Sequence, residues 1–203
     1  MLIKLILIII SYLIGSIPSA YIAGRVSKNI DIRKFGSGNV GATNAFRVLG
    51  KFWGIVVFIC DFLKGFFCVG ILPHIFKISL EPKFITVLGI SVILGHIYTI
   101  FLNFKGGKGV ATGFGVLLGL GLYIPQFYLV LLIVLGVWMI TFYFCEIVSL
   151  ASILSALTLP LATFYLSKDY FIFTLIVGIL IIWRHRSNIK RLLKKEELPV
   201  RRK

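Results

Sequence analysis

The sequence predicts an all-α integral membrane protein: a compact bundle of seven transmembrane helices with its N-terminus outside the cell and its C-terminus in the cytoplasm. Three observations predict this fold. Of the 203 residues, 59% are hydrophobic, and the mean hydropathy of +1.01 is far above that of soluble domains. Apolar runs of bilayer length alternate with short polar segments. The basic residues are concentrated in those polar segments, as in membrane proteins with positively charged cytoplasmic loops.

The net charge points to anionic partners at a membrane. The chain has 22 Lys and Arg against seven Asp and Glu, a formal charge of +15. Because this charge lies between apolar runs, we expect membrane lipid head groups and an anionic substrate as partners, and no nucleic acid. Cys60, Cys68 and Cys145 lie in apolar runs without metal-ligand spacing. We therefore interpret them as small buried hydrophobes and predict no metal and no cofactor.

The first apolar run, 5–24, is interpreted as an uncleaved span. A signal peptide is the alternative, but Pro18 would stand at the −3 position of a cleavage site after Ala20, which small residues normally fill. The following segment, 25–51, has six basic residues and one acidic residue, which predicts a cytoplasmic location. Spans at 52–73 and 84–104 then return the chain to the same side of the membrane.

The remaining apolar stretch must contain an even number of crossings. The basic tail, 185–203, is also expected in the cytoplasm. Pro125, Glu146 and the Lys168–Asp169 pair divide the stretch into predicted spans at 110–124, 126–144, 147–166 and 170–184. Seven crossings result within one transmembrane domain, 1–203; two crossings here, five in all, are the alternative.

Three polar side chains interrupt the predicted spans. Asp61 and Lys64 are three residues apart, so they can pair on one helix face, which lowers the cost of charge in lipid. We interpret the pair as a structural patch rather than as a catalytic group. His96, alone in its span, is interpreted as a hydrogen-bonded packing residue.

A glycine-rich loop at 36–47 is the first candidate site. Its three glycines within six residues let backbone N–H groups turn toward one point and cradle an anion. Arg47 follows Thr43 by four residues, so a phosphate can bridge both side chains on one helix face. The alternative is a turn and helix cap at the membrane surface.

Two further basic clusters follow. The segment 104–109 has two lysines among glycines, but it is not a Walker A loop because Gly109 stands where Ser or Thr would hold magnesium. In the tail, Arg184, Asn188 and Arg191 lie on one predicted helix face, and His185 is three residues before Asn188. The alternative here is a stop-transfer cluster that contacts lipid phosphates.

Because an even number of predicted spans separates each cluster from the next, all three clusters are expected to face the cytoplasm. This predicts an anion site beside lipid. The chain has no paired acidic motif for magnesium, no His-x4-Asp dyad and no GxSxG elbow. An enzyme with this composition works by positioning and electrostatic stabilisation. The side chains offered are Ser37, Asn39, Thr43, Asn44, Arg47, Lys105, Lys108, Arg184, His185, Arg186 and Asn188.

These segments resemble a known family. The stretch 36–44 with Arg47, the stretch 104–109, and the stretch 183–189 with Arg191 are similar to three cytoplasmic motifs of the bacterial acyl-phosphate:glycerol-3-phosphate acyltransferase family, PlsY. The resemblance covers nearly the whole chain and extends to 61–65, 95–96 and 149–152. It implies a seven-helix enzyme of the bacterial inner membrane with its active site on the cytoplasmic face.

The implied reaction moves a fatty acyl group from acyl phosphate to the 1-hydroxyl of glycerol 3-phosphate. This gives lysophosphatidic acid in the first step of phospholipid synthesis. We expect Arg47 and Lys108 to hold phosphate, with either His185 or a substrate phosphate as base. Implied catalytic residues are Ser37, His185 and Asn188. Implied substrate-binding residues are Gly36, Gly38, Asn39, Thr43, Asn44, Arg47, Lys105, Gly107, Lys108, Ser149 and Arg184.

Two other functions fit the same residues. A transporter of phosphorylated metabolites also needs a basic anion site in a helical bundle. A membrane scaffold that binds anionic lipid needs only the basic face.

We also expect disorder from about Glu196 onward.

Overall fold

The computed structural model describes residues 2–76 and 81–199, which form helices and turns and contain no strand. This confirms the all-α prediction for those ranges. The chain forms two compact units, 1–122 and 123–203.

In the first unit, the described residues 2–76 and 81–122 form seven α-helices. The first two are separated at Ile17 and Pro18, where proline removes a backbone donor. Gly50, at a φ of +96°, separates the third helix from the fourth. A π-helical turn, Phe67–Ile71, connects the fourth to the fifth. The seven helices are α1 (Leu2–Ser16), α2 (Ser19–Lys28), α3 (Ala42–Leu49), α4 (Lys51–Phe66), α5 (Leu72–Ile75), α6 (Pro82–Ile97) and α7 (Val110–Gly121).

Helices α1 and α6 pack closely through glycine. A Cβ on Gly15 would overlap the backbone of α6, and a Cβ on Gly95 would overlap the backbone of α1. Small residues allow such approach in lipid, where hydrophobic burial adds little between helices. Ser91 Oγ also donates a hydrogen bond of 2.7 Å to the carbonyl of Ile8. This contact joins α6 to α1.

In the second unit, residues 123–199 form four α-helices: α8 (Gln126–Cys145), α9 (Val148–Leu166), α10 (Phe171–Arg184) and α11 (Arg186–Leu193). Helices α8 and α9 form an antiparallel hairpin, and Ser155 Oγ on α9 donates a 3.1 Å hydrogen bond to the carbonyl of Val134 on α8. The chain bends by 59° between α10 and α11. The residue at the bend is His185, which lies between the two helices.

The helix lengths support a multi-pass membrane protein. Among the residues that the structure describes, five helical segments are long and apolar enough to cross a bilayer, and a sixth is added if the bent pair at the C-terminus counts as one span. Helix α7 is apolar but shorter. The count of seven crossings and the sides of the termini stay predictions. The five segments are Leu2–Lys28, Lys51–Ile75, Pro82–Leu102, Gln126–Cys145 and Val148–Leu166.

Two predictions about side chains in apolar runs have different outcomes. The predicted pairing of Asp61 with Lys64 is confirmed, since Lys64 Nζ lies 2.8 Å from Asp61 Oδ1. The prediction of three buried cysteines is right for Cys68 and wrong for Cys60 and Cys145, which are exposed. Hydrophobicity alone does not distinguish a buried cysteine from an exposed one, because lipid-facing and core-facing positions in a membrane helix are equally apolar.

Candidate active site

The glycine-rich loop is held in shape by Asn44. Its Oδ1 accepts a 2.9 Å hydrogen bond from the backbone N–H of Ser37. Its Nδ2 donates to the carbonyls of Phe35 at 3.1 Å and Ile32 at 3.4 Å. The residue is 1% exposed. Its polar atoms are thus used by the backbone around the loop, and we assign Asn44 a positioning role.

Two glycines in this loop adopt conformations that other residues disfavour. Gly36 has a φ of +60° and Gly38 a φ of +70°. A Cβ on Gly36 would overlap Oδ1 of Asn44. The glycines therefore give the loop its turn and leave room for the asparagine that fixes it.

The one acidic residue of the 25–51 segment, Asp31, is paired locally. Asp31 accepts hydrogen bonds from Nε and Nη2 of Arg33, at 2.9 and 2.7 Å. The Arg33 guanidinium holds the pKa of Asp31 at about 2, so the carboxylate is ionised at neutral pH. It therefore neutralises its neighbour Arg33.

The remaining donors of the first cluster lie around the start of α3. Thr43 and Arg47 are both on α3 and are half-buried, four residues apart as predicted. Ser37 is exposed at the tip of the loop, and Asn39 is half-buried. These positions leave hydroxyl, amide and guanidinium groups at the edge of the loop, where an anion can reach them.

The second cluster is tied to the end of α6. The backbone N–H of Gly106 donates to the carbonyl of Ile97, and the N–H of Gly107 donates to the carbonyl of His96, both at 3.0 Å. These amides are used inside the fold, so the predicted contribution of Gly107 to substrate binding is not a donated N–H bond. Lys105 is exposed and Lys108 is half-buried, so their ammonium groups are the polar features that suit a phosphate.

The first two clusters meet. A Cβ on Gly107 would lie 2.9 Å from the carbonyl oxygen of Val40 in the first loop. Val40 and Gly107 also line one small cavity. The structure therefore brings together two of the predicted basic segments within the first unit, 36–47 and 105–109.

In the second unit, the carboxylate of Glu197 accepts hydrogen bonds from three residues of the predicted motifs. Glu197 accepts hydrogen bonds from Ser149 Oγ at 2.9 Å, Asn188 Nδ2 at 2.7 Å and Arg191 Nε at 2.6 Å. Its side chain is only 5% exposed. The prediction of disorder from about Glu196 is wrong for Glu197. Sequence reasoning missed this residue because a carboxylate six positions after an arginine has no periodic relation to it.

These contacts change the pKa of Glu197. Burial alone raises the pKa, but the hydrogen bonds from Arg191, Asn188 and Ser149 outweigh burial and lower it from its ordinary value of 4.5. The folded protein therefore favours the carboxylate. The resulting stability is present at neutral pH and is lost as the pH falls below 4.5 and through the lower pKa of the folded state.

His185 is oriented by the helix that it ends. It is 2% exposed, and its Nδ1 lies 2.8 Å from the carbonyl of Ile181, one turn earlier. Since a carbonyl only accepts, Nδ1 is the donor, and in the neutral ring Nε2 has the lone pair. The side chains on either side, Arg184 and Arg186, lie over the ring of Trp183 at 6.0 and 4.3 Å from its centroid.

We expect Glu197→Gln to lower the free energy of unfolding by about 1–3 kcal/mol, because it removes the charge from a hydrogen-bonded carboxylate. Thermal unfolding in detergent at neutral pH measures the change. Because the carboxylate contribution disappears in acid, the difference between the variant and the unaltered protein should shrink as the pH falls below 4.5.

Glu196→Gln is the matched control. Glu196 precedes Glu197 and is exposed, so this substitution makes the same charge change without breaking the contacts with Ser149, Asn188 and Arg191. Equal destabilisation by both substitutions would contradict the assignment of stability to Glu197.

Comparisons with known proteins show the family to which this chain belongs. The family model described as glycerol-3-phosphate acyltransferase matches residues 5–195. The glycerol-3-phosphate acyltransferase of Endomicrobium trichonymphae is 45% identical over 205 residues, which cover 99% of this chain and 98% of the relative. The enzyme of that name from Bacillus subtilis strain 168 is 44% identical over 196 residues, with 96% of each chain covered.

Solved structures are also similar. The crystal structures of PlsY (YgiH), an integral membrane glycerol 3-phosphate acyltransferase, in its glycerol 3-phosphate and lysophosphatidic acid forms, each have a TM-score of 0.82 and 40% sequence identity. Each comparison covers 97% of this chain and 94% of that one. With the family model and the relatives matching nearly end to end, this chain belongs to the glycerol-3-phosphate acyltransferase family.

Proposed function

We propose that this protein transfers a fatty acyl group from acyl phosphate to the 1-hydroxyl of glycerol 3-phosphate, forming lysophosphatidic acid and inorganic phosphate. The observation that carries the proposal is the contact between two glycine-rich loops that bear cationic side chains. Both proposed substrates contain phosphate, and guanidinium and ammonium groups bind phosphate through charge-assisted hydrogen bonds.

Arg47 and Lys108 are the proposed phosphate ligands. Arg47 has the fork of N–H donors that matches two phosphate oxygens, whereas Lys108 supplies a point charge. The hydroxyls of Ser37 and Thr43 add donors at the loop edge. Asn39 and Lys105, half-buried and exposed respectively, extend the same positive surface. Gly36 and Gly38 contribute through the shape of the loop.

The acyl transfer needs a proton acceptor for the attacking hydroxyl. The hydroxyl oxygen attacks the acyl carbonyl carbon, the bond from that carbon to the phosphate oxygen breaks, and the proton leaves with the released phosphate. We propose that Nε2 of His185 takes this proton first, because Nδ1 is held as a donor by Ile181. Asn188 would orient the glycerol, and Ser149 and Arg184 would bind beside it.

We expect His185→Asn to lower kcat by about 10²-fold or more at neutral pH, because it removes the proton acceptor. A pH–rate profile measures the change. Recovery of turnover at alkaline pH would contradict the imidazole base and assign the proton to a substrate phosphate oxygen. His74→Asn is the control, since His74 is exposed on α5, outside the basic clusters, and should leave the profile unchanged.

We further propose seven crossings of the bacterial inner membrane, with the N-terminus outside and both glycine-rich loops in the cytoplasm. The excess of basic residues in 25–51 supports this orientation. A cysteine placed at the exposed Lys34 should then react with an impermeant reagent only from the cytoplasmic side. Reaction from the outer side would contradict the orientation.

Turnover tests the function as a whole. Detergent-purified protein incubated with acyl phosphate and glycerol 3-phosphate should form lysophosphatidic acid. A transporter would instead move glycerol 3-phosphate into sealed vesicles without forming product, and a scaffold would bind anionic lipid without turnover. Failure to form product under conditions where the protein is folded would contradict the proposal.

A further inference from the structure

A pair of charged residues lies in α4 and has no part in the proposed reaction. The side chains of Asp61 and Lys64 are 3% and 6% exposed, and the two charged atoms are 2.8 Å apart. Charged side chains inside a membrane protein are energetically unfavourable, and they are found mostly where they are paired and have a function. The contacts of this pair lead to the second glycine-rich loop.

Asp61 connects α4 to two other parts of the first unit. Its Oδ1 accepts a 3.0 Å hydrogen bond from Ser19 Oγ, at the start of α2. The same oxygen lies 3.6 Å from Nδ1 of His96, near the end of α6. Lys64 Nζ donates a 3.3 Å hydrogen bond to the carbonyl of Ile17, where the chain breaks between α1 and α2. The ion pair thus contacts the break between α1 and α2 and lies beside the imidazole ring.

The imidazole of His96 contacts the second loop directly. A Cβ on Gly107 would overlap Nε2 of His96, so the Nε2 edge of the ring lies directly against Gly107. The carbonyl of His96 also accepts the N–H of Gly107. Next to the ring is a cavity of about 10 Å³ lined by Ser19, Asp61, Lys64, His96, Gly106 and Gly107, which has room for no more than about one water molecule.

We infer that Asp61, Lys64 and His96 are positioning residues that hold the 105–108 loop in place and so determine where Lys108 meets substrate phosphate. This inference rests on the proposed function. The ion pair orients the imidazole, the imidazole packs on Gly107, and Lys108 is the next residue. A small displacement of a substrate-holding group, of the order of 1 Å, can cost about 10²-fold in rate.

The first test is His96→Ala, measured by the KM for each phosphate-bearing substrate and by kcat. We expect KM to rise about tenfold to 10²-fold, because the loop loses the surface on which it packs. Ser91→Ala is the matched control. It removes a buried side-chain contact from the same helix, the 2.7 Å bond to Ile8, without touching the loop, and its KM should stay within about twofold. A KM for His96→Ala that matches this control would overturn the inference.

A second variant tests the charges. Asp61→Asn with Lys64→Met removes both charges together, so no charge is left unpaired in the membrane, and the imidazole loses its orienting carboxylate. We expect the same rise in KM as for His96→Ala, and combining all three substitutions should add little because the residues act as a unit. A folded double variant with unaltered KM would overturn the role of the pair.

Labelling separates this inference from the proposed function, because it needs no turnover. Lys105 is exposed, so Lys105→Cys can report loop mobility through its rate of reaction with a maleimide. The background needs Cys60→Ser and Cys145→Ser, since both native cysteines are exposed. We expect His96→Ala to speed labelling severalfold and Ser91→Ala to leave it unchanged. Equal labelling rates in the Lys105→Cys protein alone, with His96→Ala and with Ser91→Ala would overturn the positioning role, even if turnover is observed.

Discussion

Replacing Arg47 by Ala is expected to lower kcat/KM for glycerol 3-phosphate by about 10²–10³-fold, the cost of removing one charge-stabilising donor from an active site. Arg47 is half-buried on α3, next to the loop that Asn44 fixes. Initial rates of lysophosphatidic acid formation by the purified variant measure the effect. Arg47→Lys should recover part of the loss, because it restores the charge without the bidentate fork.

Lys34→Ala is the matched control for Arg47→Ala. Lys34 belongs to the same basic segment but is exposed in the short helix Ile32–Lys34. Its removal changes the net charge of the segment equally and should alter kcat/KM by less than about threefold, as expected for a screened surface charge. Similar losses in the two variants would indicate general electrostatic attraction instead of a phosphate ligand.

Gly36→Ala is expected to abolish most of the activity while the membrane helices stay folded. Alanine at a φ of +60° costs roughly 1–2 kcal/mol from backbone strain alone. Its Cβ would also displace the side chain of Asn44, which then loses its bonds to Ser37, Phe35 and Ile32. We expect the rate to fall by about 10²-fold or more as the loop loses its shape, with circular dichroism unchanged.

Gly50→Ala is the control that separates the effect of backbone strain from the effect of displacing the Asn44 side chain. Gly50 also has a positive φ, +96°, but a Cβ there would meet nothing within 4 Å. Both variants therefore have backbone strain, but only Gly36→Ala disturbs the asparagine. Comparable loss of activity in Gly50→Ala would contradict the role assigned to Asn44.

Much of the helical arrangement could be predicted from local sequence. The apolar runs indicate which segments form membrane helices, because length and hydropathy are properties of each segment alone. The pairing of Asp61 with Lys64 follows from i, i+3 spacing and from the cost of charge in lipid. Glycines at 36 and 38 predict positive φ for the same local reason.

The parts that could not be predicted depend on contacts between distant segments. Whether an amide in the 105–109 loop points to a ligand or to α6 depends on how α6 ends, and the structure shows the N–H groups of Gly106 and Gly107 donating to α6 carbonyls. Asn44 is polar in a polar loop, yet it is buried by the loop that it shapes. Glu197 reaches Ser149 only because the chain reverses after α11, where Lys195 adopts a φ of +58°.

The central claim is that the cationic loops serve a reaction in which phosphate is the leaving group. Comparing acyl phosphate, acyl-CoA and acyl carrier protein as donors to glycerol 3-phosphate, with the same purified protein, tests this claim most directly. We predict lysophosphatidic acid from acyl phosphate alone, with one inorganic phosphate released per product, as the balanced reaction requires. Product from either thioester donor, or none from acyl phosphate, would contradict the claim.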